Sequence, residues 1–579
     1  MKKFLLVLLF LVLNIAFAQN IHWQHLDTSV FEKAKKLKKP VILHLAANWC
    51  HWCHVMEEQT YHHPKVVDYI NKYFIACMED HDQRPDLANK YRDYGWPATI
   101  IFSYDGKELF KNAGYIEAEE YLKILKEIKE GKIKSFAKNN TNTSTSINSS
   151  TIQKNISLIQ KDVMNNIDVQ VGGFKSEQKS LDFEMFEYAF NHYNNDTLKQ
   201  WLDISVKNSL DLMDNVWGGV YQYSTHRDWK HAHYEKLLSI QARYVKMYLW
   251  YYYLSSDSTY YKAAIKNYEY VNRFLKKKNG TYANAQDADL IKGQKAHDYY
   301  ASSEAERLKQ GIPAIDTNAF TDNNSKWAES LIYLYAYSGN QKYLQEAEQT
   351  IQYILQYRKR EDGFFNHGSM QDITPAIVDQ MYFAKTLLLF YRLNGNLKYR
   401  EFAIQLLDLV VEKFFSNNCI KSYLPVKNYL EPDCIVSENI EMARILNLYG
   451  KIFHREKWIS AAKMISDYLL SDDVYDKIII EPGILSLREG VVEEPYIGLY
   501  VVHKLNEIDN NVVRALLKVP KFYMFGFTMK NKNDFPDKED IWGSMDNNVV
   551  FFCTSAFCSS PLFSDKEINQ FLLLRVLNR

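Results

Sequence analysis

The chain has 579 residues and carries 70 lysine and arginine residues against 70 aspartate and glutamate residues, so its formal net charge at pH 7 is zero. A balanced charge provides no field that attracts nucleic acid or an anionic membrane surface, and we exclude both classes of partner on this ground. One hydrophobic core does not serve a chain of this length, so we expect at least two domains. Seven cysteines are too few to build the chain as a disulfide scaffold.

The first eighteen residues have the three parts of a secretory signal peptide. Lys2 and Lys3 precede the apolar segment 4–13, and a small-residue cleavage site ends at Ala18. We expect cleavage after Ala18 and export of the mature protein to the periplasm or the medium, with no membrane span in the mature chain. The alternative is that this segment is retained as an N-terminal anchor.

Two cysteines, Cys50 and Cys53, follow the apolar run 41–47 and lie at the start of a predicted helix over 53–61. A sulfur at the start of a helix lies near backbone N–H groups and the positive end of the helix dipole, which favours the thiolate. Protonated His51 adds a further stabilising charge, and the second cysteine can resolve a mixed disulfide formed by the first. The sequence therefore predicts a redox-active dithiol of thioredoxin type, with Cys50 as the attacking sulfur.

Zinc binding is the alternative interpretation of the two cysteines. A zinc site on Cys50 and Cys53 needs a second pair of ligands, and no pair with standard spacing is found nearby in the sequence. Nitrogen ligands are available from four neighbouring histidines, namely His51, His54, His62 and His63. We predict redox chemistry, with no bound metal and no cofactor.

The first domain is predicted to be an α/β thioredoxin-like domain over 19–134. The sequence pattern predicts helices over 21–39 and 53–61, and strands over 41–46, 74–78 and 108–115. Pro97 stands directly before a β-branched strand, where thioredoxin-like folds place a cis-proline against the cysteine pair. We assign Pro97 to the catalytic group and three tryptophans to contact with the substrate: Trp49, Trp52 and Trp96.

A polar run over 135–155, rich in Asn, Ser and Thr, has little to bury and is predicted to be a linker. After it, apolar residues recur at helical spacing, as in Leu237, Ile240 and Tyr244. Turns that contain glycine separate the predicted helices, at Gly172, Gly218, Gly280 and Gly363. Repeated helical hairpins of this kind predict a mainly α toroid over 156–579.

Several motifs identify a related family. They are Cys50–Glu57, Gln83–Asp86, Gly95–Pro97, Gly218–Ser224, His231–Leu237 and Cys553–Pro561. These motifs resemble the thioredoxin-domain family that includes spermatogenesis-associated protein 20, and they cover nearly the whole mature chain. The resemblance implies a thioredoxin-like domain followed by an (α/α)6 barrel like that of six-hairpin glycosidases and sugar epimerases. It implies no settled reaction.

The densest polar group of the helical domain lies beside a glycine turn and includes His233 and Glu235, a string that the family shares. Loops that follow successive hairpins gather at one end of a toroid, so we expect a cleft there. Two carboxylates across a cleft can act as general acid and base on a glycosidic bond, and a histidine can move protons in an epimerase. We assign His233 and Glu235 to catalysis and four aspartates to substrate contact: Asp214, Asp287, Asp289 and Asp379.

The alternative for carboxylates such as Asp379, Glu438 and Glu441 is that they are solvated or cap their helices. Cys553 and Cys558 can relay electrons or close a structural disulfide loop, and we favour the loop. An aromatic content of 15% suits a saccharide cleft or, equally, ordinary helix packing.

Three functions remain open from the sequence. The first is an exported thiol–disulfide redox protein that acts on a protein client, with the helical domain binding a substrate or carbohydrate. The second is a carbohydrate-active enzyme, similar to a glycosidase or sugar epimerase, with an accessory thioredoxin domain. The third is a binder in which the barrel holds a client without catalysis.

Overall fold

A computed structural model describes residues 20–91, 95–133, 148–369, 372–518, 524–530, 534, 541, 547–554 and 557–577. The predicted signal peptide over 1–18 and residues 135–147 of the predicted linker lie outside the described residues. The chain forms two compact units, and the short segments Ile291–Lys295 and Pro425–Glu431 belong to the first unit. None of the described helices combines the length and the apolar character needed to cross a membrane.

The first unit is built on a mixed five-stranded sheet with the order β1-β3-β2-β4-β5. Its strands are β1 (Trp23–Gln24), β2 (Val41–Ala46), β3 (Ile75–Asp80), β4 (Ala98–Phe102) and β5 (Glu108–Ala113). β1, β2 and β3 run parallel, whereas β4 is antiparallel to both β2 and β5. Its helices are α1 (Val30–Leu37), α2 (His51–Met56, continuing as a π-helical turn over Glu57–Tyr61), α3 (Pro64–Tyr73), α4 (Pro85–Tyr91) and α5 (Ala118–Lys129). The predicted thioredoxin-like fold is confirmed.

The predicted helix over 21–39 is wrong in its first part. Trp23 forms strand β1, because it pairs with Ala76 at the edge of the sheet. The helix begins only at Val30, after a turn in which the Asp27 carboxylate accepts a backbone hydrogen bond. Edge pairing depends on a partner strand that is remote in sequence, so local periodicity cannot reveal it.

A segment that is remote in sequence completes the first unit. Tyr429, which belongs to Pro425–Glu431, donates a hydrogen bond to the Asp86 carboxylate at 2.8 Å. Arg84 donates to the same carboxylate and also contacts the Tyr429 hydroxyl. The sequence predicts a first domain over 19–134 only, which does not include this segment. Nothing in the local pattern of the segment distinguishes it from a loop of the helical domain.

The second unit is a toroid of six helical hairpins. Its helices are α6 (Ser149–Asn166), α7 (Phe183–Asn191), α8 (Asp196–Ser209), α9 (Leu238–Ser255), α10 (Ser258–Tyr270), α11 (His297–Ala301), α12 (Glu304–Gln310), α13 (Thr321–Ser338), α14 (Gln341–Tyr357), α15 (Ile377–Asn394), α16 (Leu397–Lys413), α17 (Val436–Ile452), α18 (Glu456–Leu469), α19 (Asp472–Tyr475), α20 (Pro482–Val492), α21 (Asn510–Lys518) and α22 (Asp565–Leu577). Helices α7, α9, α13, α15, α17 and α20 form the inner ring, in which each helix packs on the next and α20 packs back on α7. Helices α8, α10, α14, α16, α18 and α6 pack outside them, one on each inner helix in the same order. The predicted (α/α)6 toroid is confirmed.

Short strands occupy the loops of the toroid and its C-terminal part. They are β6 (Tyr223–Thr225), β7 (His231–His233), β8 (Lys236–Leu237), β9 (Ala285–Gln286), β10 (Ile315–Asp316), β11 (Phe415–Ser416), β12 (Cys419–Ile420), β13 (Tyr496–Val501), β14 (Met524–Met529) and β15 (Val549–Cys553). β6 pairs with β7, β9 lies between β8 and β10, β11 pairs with β12, and β13 lies between β14 and β15.

The predicted glycine turns connect outer helices to the inner helices that follow them. Gly218 and Gly219, between α8 and α9, both have a φ of 76°. A Cβ atom at Gly219 would lie 2.5 Å from the ring of Tyr270, so only glycine fits there. Because each turn leads into an inner helix, these loops and the first turns of the inner helices share one end of the toroid, which we call the loop end.

The predicted linker over 135–155 extends too far. The Asn148 side chain caps α6, and residues 149–155 are helical. Asn155 is fully buried and donates to the Leu470 carbonyl at 2.9 Å, which explains why this polar residue belongs to the folded unit.

Disulfides join Cys419 to Cys434 and Cys553 to Cys558, and Cys77 is a free, buried thiol.

Candidate functional sites

The dithiol site lies where β2 leads into α2. A disulfide joins Cys50 and Cys53, whose Cα atoms are 5.3 Å apart. Cys50 is the N-cap of α2, and its sulfur accepts a hydrogen bond from the Cys53 N–H at 3.2 Å. The helix therefore starts at His51, two residues before the predicted position. A sulfur that accepts a backbone N–H at a helix start is well placed to carry negative charge after reduction.

Pro97 lies at the same edge of the sheet as the dithiol. The Trp96–Pro97 peptide bond is cis, as predicted. Pro97 directly precedes β4, and Ala98 in β4 is opposite Leu45 in β2. Pro97 and the loop that leads from β2 to Cys50 therefore leave the sheet side by side.

The three tryptophans near the dithiol differ in their surroundings. Trp52 is 43% exposed and can contact a client. Trp96 is half-buried and packs edge-on against His81, with ring centroids 4.1 Å apart. Trp49 is buried, and its indole N–H donates to the Asp82 carboxylate. The ring and the N–H of Trp49 both have partners within the unit, and its predicted contact with the substrate stays a prediction.

His81 and Asp82 form part of a cluster that sequence reasoning missed. With Asp80 they offer three ligand atoms that all lie within 4.8 Å of one another. The His81 Nδ1 atom lies 3.1 Å from an Asp82 carboxylate oxygen. The Asp-His-Asp string over 80–82 at the end of a buried strand is the sequence signal that would have found it.

Asp214 in the second unit is the centre of a buried ion cluster. Its Oδ2 atom accepts from Lys236 at 2.7 Å and from Arg307 at 2.7 Å, and all three side chains are shielded from solvent. Burial raises the pKa of the Asp214 carboxyl, but Lys236 and Arg307 outweigh burial and lower the pKa to about 2. We therefore assign this carboxylate a part in stabilising the fold, and its predicted contact with the substrate stays a prediction.

Glu235, Asp287 and Asp289 come together at the ends of two paired strands. β8 and β9 pair antiparallel with Lys236 opposite Gln286, so Glu235 and Asp287 leave the ladder at the same end. The Asp289 N–H donates to an Asp287 carboxylate oxygen at 2.9 Å. All three carboxylates are buried. The structure thus brings together three of the predicted site residues.

Aromatic rings lie next to this carboxylate group. Tyr234 stacks on Tyr300 with ring centroids 4.4 Å apart, and Tyr221 packs edge-on against both. His233 is half-buried and stacks on Tyr223 at 4.3 Å, across the β6–β7 hairpin. Stacked rings beside carboxylates suit a hydroxylated ligand.

Asp379 belongs to a different group at the loop end of the toroid. Its Oδ1 atom lies 2.8 Å from His367 Nδ1, and Asp322 Oδ1 lies 3.8 Å from the same nitrogen. Burial lowers the pKa of His367, but Asp379 and Asp322 outweigh burial and raise the pKa to about 10. We call Asp322, His367 and Asp379 the Asp322 cluster. Asp379 therefore has charged partners of its own, and its predicted contact with the substrate stays a prediction.

Charged side chains also occupy the inside of the helix ring. Arg444 in α17 donates to Glu187 in α7 at 2.6 Å, although α17 and α7 are not neighbours in the ring. The ion pair therefore spans the interior. Further ion pairs link acidic and basic side chains in turn around the ring. They join Glu441 to Lys385, Lys385 to Glu329 and Glu329 to Lys246.

Sequence reasoning considered Glu441 alone and missed the other members of this network. Glu329, a charged residue that precedes the apolar run 331–336 of α13 by two positions, is the signal that would have indicated it.

Glu184, in the first turn of α7, is a further carboxyl that sequence reasoning missed. Burial and the nearby Glu481 raise the pKa of this carboxyl, which favours its protonated form. Gly483 in α20 has no side chain and lets the Glu184 carboxyl approach the backbone closely. A protonated carboxylic acid at the loop end can serve as a general acid.

Comparison with known proteins finds several that are similar to parts of the chain. Residues 11–154 match the family described as "Protein of unknown function, DUF255". Spermatogenesis-associated protein 20 from Mus musculus is 26% identical over 311 residues, which cover 46% of this chain and 39% of that protein. The chain thus spans well under two thirds of that relative's length.

Two further proteins resemble parts of the chain. The thiol:disulfide interchange protein DsbD of Campylobacter jejuni (strain RM1221) is 27% identical over 88 residues, or 15% of each chain. A cellobiose 2-epimerase from Bacillus thermoamylovorans B4167 aligns with 55% of this chain and 86% of its own, with a TM-score of 0.45 and 12% identity. The resemblance to the family of spermatogenesis-associated protein 20 is confirmed, and residues 11–154 are similar to the DUF255 family.

Proposed function

We propose that the protein is a thiol–disulfide oxidoreductase whose reactive group is the Cys50–Cys53 pair. The observation that carries the proposal is the position of Cys50 as N-cap of α2, with its sulfur bonded to Cys53 and accepting the Cys53 N–H. Exposed Trp52 beside the pair provides a contact for a client protein.

The exchange proceeds in two balanced steps. A client thiolate attacks the Cys50 sulfur, the Cys50–Cys53 bond breaks, and Cys53 leaves as a thiolate. A second client thiolate then attacks the client sulfur of the mixed disulfide and releases Cys50 as a thiolate. Two electrons pass from client to protein, and the reverse steps reduce a client disulfide. The relative reduction potentials of the protein and its client set the direction.

Cysteine variants of the full chain test this function. We expect Cys50→Ser to abolish exchange with a dithiol peptide, and Cys53→Ser to accumulate a mixed disulfide at Cys50 that mass spectrometry detects. Cys77→Ser is the matched control. Cys77 is buried, and its burial is the main cause that raises its pKa to about 12, so this thiol is not expected to react. Thiol–disulfide exchange with the peptide that persists in Cys50→Ser would contradict the proposal.

A second candidate function is carbohydrate chemistry in the toroid. It is supported by the grouping of Glu235, Asp287 and Asp289 beside the stacked rings of Tyr234 and Tyr300. The test follows oligosaccharide cleavage or epimerisation by NMR in the Cys50→Ser background, with Glu235→Gln as the variant. Exposed Glu177→Gln is the control. The function is supported if Glu235→Gln loses turnover while the Cys50→Ser parent and Glu177→Gln keep it. It is contradicted if the Cys50→Ser parent shows no turnover.

We also propose that the protein is exported, on the basis of residues 1–18. Fractionation of cells that express the full chain should recover a processed form, with Gln19 at its N-terminus, outside the cytoplasm. Deletion of residues 2–18 should retain the protein in the cytoplasm. An unprocessed protein in the membrane fraction would support the anchor instead.

A further inference from the structure

We propose that the Asp322 cluster binds one divalent transition-metal ion, of the class of Zn²⁺ or Mn²⁺. One histidine nitrogen and carboxylate oxygens from two aspartates form its ligand set, which suits these ions, and binding of the ion displaces the proton of the His367 ring to solvent. The inference goes beyond the dithiol chemistry and departs from the sequence-based expectation of no metal.

The distances within the cluster fit coordination of one ion. The three side chains offer ligand atoms that all lie within 4.8 Å of one another. His367 Nδ1 lies 2.8 Å from Asp379 Oδ1 and 3.8 Å from Asp322 Oδ1. Ligands at about 2.0–2.2 Å from a tetrahedral ion are separated by roughly 3.4 Å, so the observed distances bracket the required one.

Two carboxylate oxygens of the cluster lack hydrogen bonds. Asp379 is completely buried, and its Oδ2 atom has no hydrogen-bond partner among the described residues. Asp322 Oδ1, also buried, likewise has none within the described parts of the chain. A buried carboxylate oxygen without a partner is costly, and a cation bound between the two aspartates would satisfy both.

Neighbouring groups hold the ligands in place. The Asp322 N–H donates to Asp379 Oδ1 at 3.1 Å, and Lys326 donates to the outer oxygen, Oδ2, of Asp322 at 2.7 Å. Phe320 stacks on the His367 ring with centroids 4.5 Å apart and fixes its plane. These contacts orient the ligands as outer-shell partners do in metalloproteins. Three protein ligands leave coordination positions open for water or a substrate oxygen.

Metal binding to the purified full chain tests the proposal. The protein is kept in its disulfide form so that Cys50 and Cys53 cannot bind metal, stripped with chelator, and titrated with ZnCl₂ and MnCl₂ by calorimetry. We expect about one ion per chain. His367→Gln and Asp379→Asn should each weaken binding by at least tenfold, as loss of a ligand or its partners does. His81→Gln is the matched control, because it alters another described group of one histidine and two aspartates.

A second measurement, the melting temperature with and without metal, distinguishes loss of metal binding from failure to fold. Metal should raise the melting temperature of the parent protein and of His81→Gln, and should leave that of folded His367→Gln unchanged. Circular dichroism shows which variants are folded. The proposal fails if the parent binds no ion, if His367→Gln binds as tightly as the parent, or if only His81→Gln loses the ion. Failure here leaves the dithiol function untouched, because the two sites share no residue.

Discussion

Lys236 donates a hydrogen bond to Asp214 at 2.7 Å in a part of the second unit that solvent does not reach. Lys236 belongs to the motif His231–Leu237, and Asp214 shortly precedes the glycine turn at Gly218. In the structure the pair joins the loop after α8 to strand β8, just before the inner helix α9. Its charges therefore hold this loop against the segment that leads into α9.

Replacing Asp214 should destabilise the second unit strongly. Asp214→Asn leaves Lys236 and Arg307 as buried cations without their shared anion, and breaking a buried ion pair in this way costs about 3–5 kcal/mol. Urea unfolding followed by tryptophan fluorescence measures the change. The control is Asp211→Asn, because Asp211 is exposed. A loss below about 1 kcal/mol would mean that the ion cluster contributes little.

Reduced protein should be alkylated at Cys50 before Cys53. Cys50 is at the start of α2 and its thiolate accepts a backbone N–H, whereas Cys53 lies one turn further into the helix. Brief treatment with iodoacetamide followed by peptide mass spectrometry measures the order, and buried Cys77 is the internal reference for a slow thiol. Faster labelling of Cys53 would reverse the assigned roles.

Acid should destabilise the first unit through His44. Burial lowers the pKa of His44 from 6.5 to about 3, so the unfolded chain takes up the proton at a higher pH than the folded unit does. The associated stability is present above pH 6.5 and is lost as the pH falls towards 3, by about 2 kcal/mol between pH 6.5 and 4.5.

The His44→Phe variant should lose this pH dependence. Unfolding free energies measured from pH 7 to pH 4.5 should fall less steeply in His44→Phe than in the parent. His22→Gln, altered at an exposed histidine, should keep the parent slope. Equal slopes in all three proteins would contradict the burial effect.

The charges inside the toroid should give a second acid transition. Burial raises the pKa of Glu441, but Lys385 and Arg444 outweigh burial and lower the pKa from 4.5 to about 2. Stability from this carboxylate is therefore present above pH 4.5 and is lost as the pH falls towards 2. Glu441→Gln should lower the melting temperature at pH 7 and flatten its decline below pH 4.5. Glu401→Gln, at an exposed site, should change neither.

The local sequence determined the features whose evidence is contiguous along the chain. A buried strand followed by Cys50 and Cys53 defines a strand-to-helix redox motif, and the motif needs no remote partner to be recognised. The Trp96–Pro97 bond, directly before a β-branched strand, is recognised in the same way. Apolar spacing with recurrent glycine turns indicated helical hairpins, because amphipathic periodicity reports each helix separately.

The tertiary structure decided which of those residues meet. Trp23 is a strand residue because Ala76 pairs with it, and Asp214 is a structural anion because Lys236 and Arg307 enclose it. His367 carried no sequence signal, yet the approach of α13 and α15 places it between Asp322 and Asp379. Strand pairing, burial and charge pairing depend on segments that are remote in sequence, and a local pattern holds no information about which remote segments fold together.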